Sequence, residues 1–372
     1  MRFILLLIFL PALVFARPDE KFGKIGKYSI EADYIFGRIL AHNSRFKPRP
    51  TEFTHGFEVA AYKQTLGTKE WQRKLHYPEL GAAFTFFRHG DYQYFGDAYM
   101  LMGVAKFWIV RSRYVDFYVR AGSGIAIVPR HFNLQTNPEN VVIGSTLNSS
   151  AQVKLGIDIK PHPNVQLTMG VSFTHYSNSA VQFPNLGINT PAVFFGLRYF
   201  PCVSDSLRYN RAKWSKPKKR HEVMIKYSMG IQESRPYKGA KFPVYIGTIN
   251  YAYYTSIVNK VLGGASVEFN QAAYDLIGYY GNDFKYSRTL SSMNISLFAG
   301  DEVIMGKVGI YFMAGVYLLN PRKDAPMYVK IGANYYFVSV GKNKNTKFFI
   351  GSNLKTHFFV AQFYEMCAGV AF

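Results

Sequence analysis

Strict alternation of apolar and polar side chains marks two segments in the middle of the chain. In residues 151–160 every second residue is apolar, and the residues between them are polar or glycine. Residues 165–174 repeat this pattern. Successive side chains of a β-strand point to opposite faces, so each segment predicts a strand with one apolar and one polar face.

About sixteen segments of the chain have a strand-like pattern. They centre near residues 28–38, 54–66, 79–88, 97–110, 114–126, 149–160, 164–177, 189–200, 221–233, 243–255, 261–270, 286–299, 303–318, 326–337, 346–357 and 359–372. Their spacing and turn residues are those of an antiparallel meander. The 28 Tyr, 32 Phe and 31 Gly suit strands and the aromatic girdles of membrane barrels.

The first residues resemble an export signal. Met1 and Arg2 precede an apolar run over residues 3–15, and Val14 and Ala16 occupy positions −3 and −1 of a cleavage site. The run is shorter than the roughly 20 residues of a membrane-spanning helix, so we predict a cleaved signal peptide over residues 1–16. Together with the strands and the terminal Phe372, the signal predicts an all-β transmembrane barrel in a Gram-negative outer membrane. A secreted soluble β-protein is the alternative.

A basic stretch divides the strands into two sets of eight. Residues 201–220 contain seven Lys and Arg residues, and turns on the periplasmic side of such barrels are usually short. We therefore predict a linker there, between a barrel over residues 17–200 and a second barrel half over residues 221–372. Eight strands suffice to close a barrel filled by side chains. One sixteen-stranded barrel, which could form a pore, is the alternative.

The net charge of +21 indicates an anionic partner. The export signal argues against nucleic acid and favours lipopolysaccharide in the outer leaflet of the membrane. The two cysteines, Cys202 and Cys367, lie in different halves and show no metal-ligand spacing. The sequence predicts no metal and no organic cofactor, and it does not predict the oligomeric state.

Three polar side chains interrupt an apolar stripe near the end of the first half. His175 and Ser177 are two residues apart, so both point to the same face of one strand. Their parity matches that of Phe173, which predicts that they face outward. Asn189, at the start of the next strand, shares the outward parity and lies across the hairpin. A polar group on the lipid side requires a reason, and the histidine could take the proton of the serine.

The motif His175-Tyr176-Ser177-Asn178, followed by Pro184-Asn185-x-Gly187, resembles the lipid A 3-O-deacylase (PagL) or acyloxyacyl hydrolase family. The resemblance covers about residues 20–200. It implies an eight-stranded outer-membrane barrel that hydrolyses an ester-linked acyl chain of lipid A. It also implies that Ser177 is the nucleophile and His175 the general base. Asn185, and less directly Asn178, would stabilise the oxyanion.

The sequence departs from the family pattern at one position. The family has a glutamate twelve residues after the serine, and here that residue is Asn189. An asparagine can orient the histidine but stabilises the imidazolium less than a carboxylate does. A non-catalytic barrel that binds lipopolysaccharide or acts as a scaffold is therefore the alternative function. The second half has no matching motif. Thr356 aligns with His175 and Phe358 aligns with Ser177, and the neighbouring His357 has the opposite parity to His175.

Overall fold

A computed structural model describes most of the chain. It covers residues 25–372 except 43, 218–219, 234–238, 282–284, 324, 342–344 and 358–359. The predicted signal peptide over residues 1–16 lies outside the described residues. No helix within the described ranges is both long and apolar enough to span a membrane.

Eight antiparallel strands of the first half close on themselves as a barrel. They are β2 (Tyr28–Gly37), β3 (Thr54–Gln64), β4 (Glu79–Arg88), β5 (Asp97–Arg111), β6 (Val115–Ile127), β7 (Leu147–His162), β8 (Val165–Ser177) and β9 (Ile188–Tyr199). Each strand pairs with the next, and β2 also pairs with β9, with Tyr34 opposite Phe195. Two short strands, β1 (Ile25–Gly26) and β10 (Val203–Ser204), pair with each other outside the barrel.

The second half forms another closed eight-stranded barrel. Its strands are β11 (His221–Glu233), β12 (Lys241–Ser256), β13 (Asn259–Asn270), β14 (Met293–Met305), β15 (Val308–Leu319), β16 (Met327–Val340), β17 (Thr346–His357) and β18 (Val360–Ala371). Closure is made by β11 and β18, with Tyr227 opposite Ala368. The two-barrel prediction is thus confirmed, and the alternative of one sixteen-stranded barrel is wrong.

Both barrels have an apolar outside and a polar inside. In β8 the outward side chains of Leu167, Met169 and Val171 are exposed, whereas Thr168 and Ser172 between them are buried. Charged side chains fill the first lumen as ion pairs, among them Lys106 with Glu31 and Asp158, Arg120 with Glu58, and Lys154 with Asp33 and Glu58. The second lumen contains similar pairs, such as Lys260 with Glu222 and Glu302. This distribution is that of a membrane barrel and not of a soluble sandwich.

The two ends of the first barrel differ. We call the end formed by the connections 38–53, 89–96, 128–146 and 178–187 the loop end, and the end formed by 65–78, 112–114 and 163–164 the turn end. These connections contain two short helices that the sequence pattern does not indicate, α1 (Glu70–Lys74) and α2 (Tyr92–Phe95). Two further helices of this kind, α3 (Gln271–Tyr280) and α4 (Arg288–Ser291), lie between β13 and β14.

Part of the predicted linker contacts the turn end. The Asn210 backbone N–H donates to the Leu66 carbonyl oxygen at 2.8 Å, and the Tyr77 hydroxyl donates to the Asn210 carbonyl oxygen at 3.0 Å. The Tyr209 ring lies against the Tyr77 ring and under the Arg111 guanidinium. Burial raises the pKa of Tyr209. These contacts fasten residues 209–210 to the first barrel.

Candidate active site

The side chains of His175, Ser177 and Asn189 form one hydrogen-bonded row at the loop end. His175 and Asn189 are directly opposite each other in the β8–β9 ladder. The imidazole Nδ1 lies 2.7 Å from the Asn189 Oδ1, and its Nε2 lies 3.1 Å from the Ser177 Oγ. With the proton on Nδ1, the ring donates to the amide oxygen and its Nε2 can accept the serine proton.

This row lies on the outer wall of the barrel, as the alternation predicts. Phe173 and Val171 on the same face are exposed, and Tyr176 between the two site residues is fully buried in the lumen. His175 itself is half-buried, and Ser177 is 4% exposed because the loops cover it. The row therefore borders the apolar outer face and is also shielded at the loop end.

Gly187 makes the close packing around the row possible. Its φ of +75° is in the left-handed region, which favours glycine. A Cβ at this position would lie 2.7 Å from the His175 Cε1 and 3.2 Å from the Ser177 Cβ. The Gly187 N–H donates to the Val142 carbonyl oxygen at 3.2 Å. Residues 186–187 are thus held against the 128–146 loop, next to the site.

The two asparagines expected at the oxyanion position have different surroundings. The Asn178 N–H donates to the Asn185 Oδ1 at 3.0 Å, so the Asn185 side chain keeps its NH2 group as the donor. The Asn178 side chain donates instead to the Ser145 Oγ at 3.0 Å. These bonds favour Asn185 over Asn178 as an oxyanion donor.

A histidine that the sequence analysis missed completes the row. The Asn189 Nδ2 lies 3.0 Å from the Nδ1 of His42, which is 147 residues away in the chain. His42 follows the end of β2, and the Leu40 N–H donates to the Asn189 carbonyl oxygen at 2.8 Å. Barrel closure could have indicated this contact, because the residues after β2 must lie beside the residues that begin β9.

A buried polar contact supports the end of β8 from inside the lumen. The Tyr176 hydroxyl is hydrogen-bonded to the His89 Nε2, and the His89 Nδ1 lies 3.1 Å from the Thr54 Oγ1. Burial lowers the pKa of His89 to about 3, so this ring is neutral at physiological pH. The contact anchors Tyr176 and thereby the backbone that carries His175 and Ser177.

Two acidic residues of the first half, Asp158 and Glu139, do not take part in the hydrogen bonds of the row. Asp158 is buried in the lumen, where it pairs with Lys106 at 2.9 Å. Glu139 lies in the 128–146 loop. Among the described residues, the carboxylates of Glu31, Asp33 and Glu58 are close enough together to hold a metal ion. All three are already paired with lysine or arginine side chains in the lumen.

Among the described residues, the corresponding part of the second barrel shows no such row, and Phe358, which aligns with Ser177, lies outside them. In β17 the alternation places Thr356 on the outer face, while His357 shares the inward parity of the buried Lys355. The His357 Nε2 is hydrogen-bonded to the Tyr317 hydroxyl at 2.8 Å. The opposite parity of His357 is as predicted.

Comparison with known families gives one match within each barrel. Residues 55–198 match the family described as lipid A 3-O-deacylase (PagL), which confirms the resemblance drawn from the motif around Ser177. Residues 221–372 match the acyloxyacyl hydrolase C-terminal domain. A search of curated proteins found no match. The family and the barrel fold together indicate the outer membrane.

Several solved outer-membrane barrels are similar to this chain. The crystal structure of the outer membrane enzyme PagL has 18% identity and a TM-score of 0.33, over 45% of this chain and 97% of that one. Neisserial surface protein A has 12% identity and a TM-score of 0.33, over 48% and 99%. Ail of Yersinia pestis has 15% identity and a TM-score of 0.27, over 47% and 99%.

Proposed function

Because residues 55–198 match the lipid A 3-O-deacylase (PagL) family, we propose that the first barrel is a serine esterase that hydrolyses an ester-linked acyl chain of lipid A. The observation that carries this proposal is the row in which His175 bridges Ser177 and Asn189. A nucleophile, a base and a group that orients the base are the parts that acyl transfer requires.

Ser177 and His175 carry the proposed chemistry. The Ser177 Oγ attacks the ester carbonyl carbon while the His175 Nε2 takes its proton. The tetrahedral intermediate collapses, His175 returns the proton to the leaving sugar oxygen to give a hydroxyl, and the acyl group stays on Ser177. Water, deprotonated by His175, then attacks the acyl-enzyme, and His175 passes that proton to the Ser177 Oγ as the fatty acid leaves.

Asn185 would stabilise the negative charge that develops on the ester oxygen. Its Oδ1 is occupied by the Asn178 N–H, which turns the NH2 group into the available donor. A donor positioned before the reaction begins costs no reorganisation in the transition state, and losing one typically lowers kcat about 100- to 1,000-fold.

The outer wall fits a substrate embedded in a membrane. Exposed apolar side chains continue along β8 and β9 below the site, namely Phe173, Val171, Val193, Phe195 and Leu197. The acyl chain would lie against this surface. The 38–53 loop above it contains four basic residues and one acidic residue, a charge that suits the phosphates of lipid A.

For the remaining segments we propose supporting roles. Residues 1–16 direct export and are cleaved, and residues 201–220 join the deacylase barrel to a second barrel without its own catalytic row. If the proposed row is inactive because Asn189 replaces the glutamate of the family, the first barrel would instead bind lipopolysaccharide without cleaving it.

Mass spectrometry of lipid A from cells that express the protein tests the proposal. We expect the natural protein to remove one 3-hydroxyacyl chain and Ser177→Ala to leave lipid A intact. His175→Ala should have nearly the same effect, and the double variant should be little worse than either single variant, because the two residues act as a unit.

Matched controls separate catalysis from folding. Ser123→Ala removes another outward-facing hydroxyl, which donates to the Ser150 carbonyl oxygen. His55→Ala removes another outward histidine at the loop end, bonded to the Tyr34 hydroxyl. Both should keep activity. Identical lipid A from cells with the natural protein and with Ser177→Ala, both folded in the outer membrane, would refute the esterase and leave the binding barrel.

A further inference from the structure

An asparagine next to a catalytic histidine poses a problem that a carboxylate does not. Both oxygens of a carboxylate accept hydrogen bonds, so either one can hold the imidazole N–H. An amide has an acceptor at one end and a donor at the other, and the two ends have nearly the same shape. Asn189 can serve His175 only if something holds its amide in one of two orientations.

The structure assigns that task to His42, and we propose that His42 is a positioning residue of this site. The Asn189 NH2 group donates to the His42 Nδ1 at 3.0 Å, while the amide oxygen accepts from the His175 Nδ1 at 2.7 Å. The amide thus lies between two imidazoles, one at each end. The inference rests on the proposed esterase function, in which His175 is the base.

The place of His42 is defined by several contacts. The backbone hydrogen bond from Leu40 to Asn189 continues the pairing of β2 with β9 up to this point. The His42 ring packs edge-on against Phe46, which is fully buried, with 5.6 Å between the ring centroids. These contacts keep the exposed ring of His42 next to the Asn189 amide.

The orientation of the amide decides the tautomer of His175. In the arrangement described, the proton of His175 is on Nδ1, and Nε2 is free to accept the Ser177 proton at 3.1 Å. In the reversed arrangement the amide NH2 would donate to the His175 Nδ1, and the proton would move to Nε2. Such a ring presents an N–H to the serine and cannot act as its base.

A competing contact shows why the state of His42 matters. The His42 Nδ1 also lies 3.2 Å from the Leu40 carbonyl oxygen. A proton on Nδ1 would be donated to that oxygen or to Asn189, and the amide would then have to present its oxygen to His42. The productive arrangement therefore requires a neutral His42 with its proton on Nε2.

A double-mutant cycle tests the inference in the full-length protein. His42→Phe keeps a ring against Phe46 but removes the acceptor, so kcat should fall about tenfold or more with little change in KM. His42→Asn places an amide oxygen near the former Nδ1 and should recover most of the loss. In the Asn189→Asp background, His42→Phe should cost less than about threefold, because a carboxylate needs no orienting partner.

A merely structural role of His42 would give a different result. His42→Phe would then cost the same in both backgrounds, and His42→Asn would not rescue, which would overturn the inference. His131→Phe is the matched control, since His131 lies in the 128–146 loop at the same end and contacts Pro129 and Thr146. It should leave kcat unchanged.

A second readout does not depend on activity. ¹⁵N chemical shifts of the histidines, assigned by variants, report which nitrogen of His175 carries the proton. We expect Nδ1–H in the natural protein and a shift toward Nε2–H in His42→Phe. Nε2–H in the natural protein, or no change in the variant, would overturn the inference. A protein with the expected tautomers that releases no fatty acid would instead refute the esterase function alone.

Discussion

In the proposed esterase, Asn189 would determine how strongly His175 can act as a base. When His175 takes the serine proton it becomes positively charged, and a neighbouring carboxylate stabilises that charge. The amide at position 189 offers its oxygen at 2.7 Å but no negative charge. Hydrogen bonds between charged groups contribute about 1 kcal/mol more than neutral ones, and 1.4 kcal/mol corresponds to a factor of ten in rate. We therefore expect a working but slowed site.

Replacing Asn189 with an acid should accelerate the reaction. Asn189→Asp keeps the shape of the side chain and Asn189→Glu restores the residue of the family, so we expect kcat for lipid A deacylation to match or exceed the natural value, by up to about tenfold. Asn133→Asp is the control, because it adds the same charge at the loop end where the side chain accepts from two backbone N–H groups. A lower rate for both acidic variants, in protein shown to be folded, would contradict this role of Asn189.

Gly187 should tolerate no side chain. Gly187→Ala adds a Cβ that would meet the His175 ring and forces a residue with a side chain to adopt a φ of +75°, a strain of about 1–2 kcal/mol. We expect deacylation to fall at least about tenfold while the barrel still shows heat-modifiable migration on gels. Gly103→Ala, where only a backbone oxygen 4.0 Å away faces the new Cβ, should be neutral. Full activity of Gly187→Ala would contradict the packing argument.

At the scale of elements, the strands were predictable from the sequence and the loop contacts were not. Alternation is a local signal, so β8 and β9 and the outward parity of His175, Ser177 and Asn189 follow from neighbouring residues. The contact between His42 and Asn189 depends instead on closure of β2 against β9 and on side chains in a loop with no periodic pattern. The short helices in the connections depend on equally specific tertiary contacts.

One such contact joins two loops at the loop end. The Asp91 carboxylate accepts from the Thr51 N–H and Oγ1, both at 2.7 Å, and from the Glu52 N–H at 3.2 Å. The Glu52 carboxylate in turn accepts from the Asp91 N–H at 2.9 Å. Burial alone would raise the pKa of Asp91, but the bonds from Thr51 and Glu52 hold it below its ordinary value.

The stability of this clasp, by which we mean the hydrogen bonds of Asp91 with Thr51 and Glu52, should depend on pH. Because the folded pKa of Asp91 lies below the unfolded value, the clasp contributes its full stability above pH 3.8 and loses it as the pH falls through the lowered pKa. Asp91→Ala should remove about 1–3 kcal/mol of local stability at neutral pH. Hydrogen exchange of residues 44–53 measures this, with Glu139→Ala as the control. Unchanged protection in Asp91→Ala would show that other contacts order the loop.

At the scale of the whole molecule, the fold argues against a pore. Each half closes as its own barrel of eight strands, a size at which side chains fill the interior. Buried side chains such as Arg120, Lys154, Arg198 and Phe194 occupy the first lumen. Some of the charged side chains thus form internal ion pairs, which composition alone could not reveal.

Closure of the first barrel makes it testable as a separate protein. A fragment of residues 17–214 contains all eight strands and the segment that contacts the turn end, so we expect it to insert into the outer membrane, to migrate in a heat-modifiable way and to retain whatever esterase activity the full chain has. Removing the second barrel should leave the His175 row unchanged, because Ser177, Asn189 and His42 all lie within the fragment.

A shorter fragment shows how much the segment after β9 contributes. Residues 17–200 should also fold, since β2 still pairs with β9, but this fragment lacks the hydrogen bonds of Asn210 with Leu66 and Tyr77 and the burial of the Tyr209 ring. We expect a loss of about 1–3 kcal/mol in the free energy of unfolding, seen as a lower urea midpoint in detergent or lipid.

The variant Tyr209→Ala in the 17–214 fragment should show part of this loss, and Tyr114→Ala, which removes an exposed tyrosine between β5 and β6, should show none. Equal midpoints for both fragments would mean that residues 201–214 only connect the two barrels, and failure of both to fold would mean that the first barrel needs the second.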